Sequence, residues 1–278
     1  MLDSLKVPEK LPDCIEEPVK AALTPPAATA GSAISDLLEL VFWPISTASK
    51  LASSKRDFLL AKQQEKQRLL LAQFHKEIED RIKTIPEEKR IIPDSRIATD
   101  AMEKAKSALE VDDIRRMYAN LIANSANSDV ASQIHPSFST IISQLSSLDA
   151  QNLEIIDMLG VCPIARFEIH NKKGQGFRIM HPDVFLSNPD QQDTSVQAVS
   201  LNTLARLQLI YLDYSLSLAG EQIYSDIEAY FTQYIGETNI SEPIWGITKG
   251  ATELTFLGHA FLAVCRSPYD SPSETSEK

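Results

Sequence analysis

Histidines near carboxylates are the first residues to test for chemistry. His135 stands in "NSANSDVASQIHPSF", close after Asp129, and Asp112 and Asp113 lie on the helix-patterned segment before it. A histidine beside a carboxylate can move protons near neutral pH, because its unperturbed pKa already lies close to that range. The same residues also read as a helix-helix corner. Asn124, Ser125, Asn127, Ser128 and Asp129 are turn formers. Pro136 suits the first position of a helix, where its missing N–H is not needed, and His135 would then cap it. No nucleophile or second base stands at a telling spacing. Asn124, Asp129 and His135 thus form a candidate functional corner whose structural reading competes with a general acid or base.

The remaining chemistry-bearing residues are sparser. "NKKGQG" has two glycines but lacks the GxxxxGK[ST] spacing and the strand-loop-helix context of a phosphate loop, so it reads as a turn. His170, His181 and His259 are too scattered for metal spacing. Cys14, Cys162 and Cys265 are odd in number, far apart and without a CxxC pair, which argues against a disulfide framework or zinc knuckle. No catalytic residue, cofactor or metal is expected.

One long segment could act on something large. In "AISDLLELVFWPISTASKL", Leu37, Leu38, Val41, Phe42 and Trp43 are apolar, but Asp36, Glu39 and Pro44 interrupt them. A membrane-spanning helix needs about 18 or more nearly uncharged residues, which this segment does not reach. Residues 50–76 then hold 7 Lys/Arg against 2 Asp/Glu, a local excess of +5. Trp43 with Lys55, Arg56, Lys62, Lys66 and Arg68 is the candidate surface for a membrane or a partner. The competing reading is a core helix with a solvated face.

Elements must position these groups. Leu71, Phe74, Ile78, Ile82 and Ile85 recur at steps of three and four, one face of a helix reaching Thr84. "IPEEKRIIPDS" is a loop, and Asp94 or Ser95 caps a helix to about Leu109. Asp112 opens another helix, with Ile114, Met117, Leu121 and Ile122 inward. A helix starts at "HPSF", with Phe138, Ile141, Ile142 and Leu145 inward, and Asp149 caps the next, with Leu153, Ile156 and Leu159 inward. "ARFEIHNKKGQGFRIM" alternates as a β-hairpin. A helix from about Ser195 to Asp213 follows, with "LIYLDYSLSLAG" ending it in a strand, then the amphipathic helix "EQIYSDIEAYFTQYI". "IWGITKGATELTFLGHAFLAVC" reads as two strands around a tight turn at Lys249-Gly250, then a short helix.

The expected fold is mainly α: a Pro/Ala-rich segment at 1–31, a helical domain at 32–146 with the long basic helix, an α+β winged-helix-like domain at 147–266, and a tail at 267–278 disordered by composition. A winged helix suggests DNA. Its recognition helix, however, carries only Arg206 against Asp213, and its wing only Lys249 against Glu253. Residues 146–278 hold 8 Lys/Arg and 17 Asp/Glu, so −9 of the chain's −11, and a DNA reader needs cations to displace phosphate counterions. Acidic residues near the N-terminus stand where a secretory signal would be basic, and the cysteine usage suits a reducing setting. The expected location is cytoplasmic, with peripheral contact at the inner membrane surface as one reading. Expected partners are proteins, a second copy of the chain included; nucleic acid is not expected.

"LEVDDIRRMYANLIANSANSDVASQIHPSFSTIISQLSSLDAQNLEIIDML" has a distinctive order: an acidic helix start at Asp112 and Asp113, Tyr-Ala-Asn-Leu-Ile-Ala at 118–123, a polar loop, His-Pro-Ser-Phe at 135–138, and a Leu-Ser-Ser-Leu-Asp turn at 145–149. In this it resembles the Abi-alpha, or abortive infection alpha, family. "LTPPAATAGSAISDLLELVF" is similar to the family's N-terminal region and "ELTFLGHAFLAVC" to its end, so the resemblance covers most of residues 20–266. It implies a bacterial role in defence against phage and supplies no catalytic residues to carry over. The expected function is a non-enzymatic antiphage effector or regulator acting through protein contacts, including contacts at the membrane surface. The alternatives are an enzyme with a site near His135 and a winged-helix DNA-binding regulator.

Overall fold

The computed structural model describes residues 55–170, 176–220, 222–237 and 244–266, with side chains described from 61 onward. The apolar cluster with Trp43 lies outside the described residues, as do the segments 1–31 and 267–278.

Helix α1 (Lys55–Thr84) buries Leu71, Phe74, Ile78 and Ile82 on the face that the spacing marks, with Ile85 just beyond it. Residues 61–69 are exposed all round, so that stretch stands clear of the core. Arg90 closes the other end by donating to the carbonyls of Ile85 at 2.8 Å and Lys83 at 3.1 Å, two acceptors that the end of the helix leaves open. Helix α2 (Ser95–Ala105) is capped by the Asp94 side chain, which accepts from Arg96 N. Helix α3 (Asp112–Ser125) is the central element, buried from Met117 to Ala123. Its first turn holds Asp112 and Asp113, where carboxylates meet the positive end of the helix dipole.

Helix α4 (Phe138–Ile142) starts two residues later than expected, because Pro136 and Ser137 form a turn ahead of it. Helix α5 (Ser147–Leu159) is capped by Ser146, with Asp149 as the reciprocal partner three residues on: the side chain of each accepts from the other's backbone N–H. The expected cap at Asp149 is thus corrected by one turn.

The sheet is antiparallel throughout, in the order β2-β1-β4-β3. Strands β1 (Val161–His170) and β2 (Phe177–Val184) form the expected hairpin. Helix α6 (Thr194–Arg206), capped by Asp193, ends well before Asp213. Strand β3 (Ile210–Asp213) follows, then helix α7 (Ser225–Glu237), strand β4 (Ile244–Leu254) and helix α8 (Phe256–Cys265), capped by Thr255.

The expected turn at Lys249-Gly250 does not form. β4 runs unbroken against β1 from Val161↔Glu253 to His170↔Ile244, with Lys249 and Gly250 opposite Ala165 and Ile164. Gly250 serves close packing instead: a Cβ there would stand 2.7 Å from the Asp213 carbonyl oxygen and from the Tyr214 ring. Helices lead and a mixed α+β region follows, as expected. The segment taken for a wing, however, is one long strand, β4.

The largest apolar core joins Phe74 and Ile78 of α1, Tyr118 and Leu121 of α3, Leu153 of α5, Leu201 of α6 and Phe261 of α8. A second cluster, Ala165, Phe167, Val184, Tyr224 and Ile227, lies between the sheet and α7.

Candidate functional site

The polar island after α3 is tied down by backbone and side-chain bonds. Ile91 N donates to Ala126 O at 2.9 Å and Ser128 N to Lys89 O at 2.9 Å, so the island pairs with the loop that follows α1. Asn124 donates through Nδ2 to the Val264 carbonyl at 2.6 Å, one turn after Asn120 reaches the Cys265 carbonyl at 2.9 Å. Both asparagines satisfy carbonyls at the end of α8, which α8 itself cannot pair. Asp129 pairs with Lys89 at 2.6 Å, raising the lysine's pKa through that hydrogen bond and the adjacent charge. His135 is exposed, and its Nδ1 meets Ser137 Oγ at 2.7 Å. The three residues singled out by sequence therefore have separate partners on separate elements.

Nearby, Asp100 accepts from Lys104 Nζ and from Ser139 Oγ, and Tyr118 OH donates to Ser139 O at 3.1 Å. Burial pushes the Asp100 carboxyl up, but the hydrogen bonds from Lys104 and Ser139 outweigh it and hold the pKa below the ordinary value. Burial pushes the Tyr118 hydroxyl up, so it stays protonated and donates. Ser139 is buried, and the group works as a clamp between α2, α3 and α4.

On the basic surface, Lys62, Lys66 and Arg68 lie on the exposed half of α1. Lys66 pairs with Glu110 at 2.8 Å and Arg68 with Glu65 at 4.0 Å, both exposed pairs of small energetic weight. Lys55 and Arg56 lie on the first turn of α1, but their side chains are outside the described part.

The histidines weighed for metal binding also lie apart. His170 Nε2 is 3.4 Å from Glu168, His259 Nδ1 is 3.9 Å from Asp157, and His181 meets Thr194 Oγ1 at 2.7 Å. Among the described residues no group of three or more His, Cys, Asp or Glu could hold a metal ion. Cys162 and Cys265 are free and buried, and burial raises the Cys162 thiol to about 11, so it stays an uncharged packing residue.

A cleft of about 670 Å³ lies elsewhere, between β2 and α6. Met180, His181 and Pro182 form one wall, and Ser195, Val199, Asn202 and Arg206 the other, with Tyr234 of α7 at the edge. The β1–β2 register shifts twice, between Ala165 and Phe167 and between Phe167 and Glu168. Asp183 takes φ 48° within that distortion and is held by Tyr214 OH at 2.6 Å and Asn202 Nδ2 at 2.7 Å. His181 Nε2, Thr194 Oγ1 and Tyr230 OH form a chain, with steps of 2.7 and 2.9 Å. Sequence reasoning missed this site. A bulge leaves no periodic signal, and Arg206 looked like the lone cation of a recognition helix.

The model of the family described as abortive infection alpha matches residues 66–265. No curated protein matches the chain. A solved structure of an uncharacterized protein from the hydrocarbon-degrading marine bacterium Alcanivorax borkumensis SK2 is similar at 14% identity, with 50% of this chain and 96% of that one covered and a TM-score of 0.33, too loose a likeness to establish a shared fold. The family match, by contrast, runs from the exposed half of α1 to the last residue of α8, and takes in the acidic start of α3, the polar island and His-Pro-Ser-Phe. The chain belongs to the abortive infection alpha family.

Proposed function

We propose that the protein acts in abortive infection as a non-enzymatic effector or regulator, through contacts made by the exposed half of α1. The family match over residues 66–265 carries the biological process. The reading of the contact surface draws on residues 61–69, which are exposed on every side of the helix. A mostly polar helical stretch that is exposed on every side offers its surface to something else. Lys62, Lys66 and Arg68 give that half a positive balance in a chain of net charge −11. The partner is then an acidic protein surface or anionic headgroups at the inner membrane, where each cation near the surface contributes about 1 kcal/mol. Contact with lipid is peripheral in this reading; among the described residues no helix is long and apolar enough to cross a membrane.

The test is a phage challenge of bacteria expressing the full chain, its Lys62→Glu/Lys66→Glu variant, or an empty vector, with membrane and cytosol fractionated. Protection by the wild type, lost in the variant at equal protein level, is the expected result. Equal protection by both would remove α1 from the mechanism, and no protection by either would remove the defence role. Protein in the membrane fraction that salt releases would identify headgroups as the partner.

A further inference from the structure

We propose that the cleft between β2 and α6 binds an elongated aromatic anion of the size of a nucleoside phosphate. The volume of about 670 Å³ falls within the range of about 300–1,000 Å³ typical of small-molecule sites. Its lining holds one charged side chain, Arg206, and no carboxylate, although the chain as a whole is acidic. Asp183, the nearest buried acid, is turned to Tyr214 and Asn202 by its left-handed backbone.

The two ends of the cleft differ. Toward the N-terminal half of α6 stand the rings of His181 and Tyr234, with centroids 5.6 Å apart and planes at 72°. The His181–Thr194–Tyr230 chain fixes that wall. Pro182 and Val199 continue it with apolar surface, and Val199 is 69% exposed. Arg206 stands at the other end of the helix. Among the described residues its guanidinium gives one hydrogen bond, to Gln144 Oε1 at 3.1 Å, which leaves N–H donors for an oxyanion. From Ser195 to Arg206 the helix rises about 16 Å. A planar base joined through a sugar to a phosphate suits a cleft of that length better than a single-ring acid does. The shared chemistry is a ring at one end and an oxyanion at the other, so an extended aromatic carboxylate is the second source.

The test is calorimetric titration of the full chain at low salt with AMP and UMP, with indole-3-butyrate as the carboxylate arm, and with adenosine and inorganic phosphate as the two halves. Saturable binding tighter than about 1 mM is expected for a joined ligand and not for either half. Arg206→Gln keeps a donor toward Gln144 but removes the charge. Val199→Trp fills the cleft from an exposed helix position. Each should weaken binding at least about tenfold, while Arg178→Gln, an exposed cation outside the cleft, should leave it unchanged. The proposal is overturned if no joined ligand saturates, if the halves bind as well as the whole, or if Arg178→Gln costs as much as Arg206→Gln. Should Val199→Trp fail to fold, the comparison of the two arginine variants decides alone. The readout is binding, so it stands apart from phage protection.

Discussion

His135 and Phe138 are three residues apart, yet they answer to different physics. Phe138 is 1% exposed and meets Phe261 edge-on with centroids 5.5 Å apart. Phe138→Ala should cost about 3–5 kcal/mol, through lost burial and the cavity left behind. His135→Ala removes an exposed ring bonded to its neighbour's hydroxyl and should stay within about 0.5 kcal/mol. Chemical denaturation of both variants checks the pair; loss of protection in a fully stable His135→Ala would assign a chemical role to the corner. Asp100 supplies the pH dependence. Its folded pKa is depressed below the ordinary 3.8, so its contribution is fully present above that value. It is lost as pH falls through the lower folded pKa. Lys104→Met should therefore flatten the acid limb of a stability–pH curve below about pH 4 and leave the shape of the curve above pH 6 unchanged. An acid limb identical to wild type would contradict this assignment.

Among the elements, α6 ends where its sequence carries no glycine stop signal. Leu209 N donates to Leu204 O at 3.0 Å and Gln208 N to Ala205 O at 2.9 Å, the paired bonds that close a helix around a left-handed residue. Glycine usually fills that position, but here Gln208 does, at φ 59°. With no glycine to mark it, the apolar run through Leu209 continues the helical pattern toward Asp213. Gln208→Gly should stabilise the fold by about 1 kcal/mol, by removing the left-handed penalty, and raise the Tm. A lower Tm would mean that the Gln208 side chain, whose Nε2 reaches Ala205 O at 3.2 Å, outweighs that penalty. α1 shows the opposite case, since its buried face matches its spacing residue for residue.

Across the whole molecule, charge and packing bear on nucleic acid. α6 has Arg206 as its one Lys or Arg, and Lys249 of β4 pairs with Glu228 at 2.6 Å while lying over the Tyr224 ring. Duplex DNA should bind no tighter than about 1 μM at physiological salt. Nanomolar, sequence-selective shifts of a DNA fragment would overturn that expectation. The core itself is held by residues far apart in sequence: Asn120 and Asn124 reach the end of α8, and Arg266 pairs with Asp157 of α5.

The sequence by itself determined that most of the described helices form, though not where α4 starts or α6 ends, because an apolar side chain every three or four residues has one face to bury whatever lies opposite. It likewise determined the β1–β2 hairpin, through alternation, and the family, through the ordered words from Asp112 to Asp149. Tertiary structure decided what depends on neighbours remote in sequence. Lys249-Gly250 became mid-strand because β1 supplied a full-length partner and Tyr214 needed the space of a missing Cβ. Asn120 and Asn124 found partners 140 or more residues away because α8 arrived with unpaired carbonyls at its end. The cleft exists because a bulged strand and a helix, each ordinary in its own sequence, meet there, and their meeting leaves Arg206 and no carboxylate in its lining.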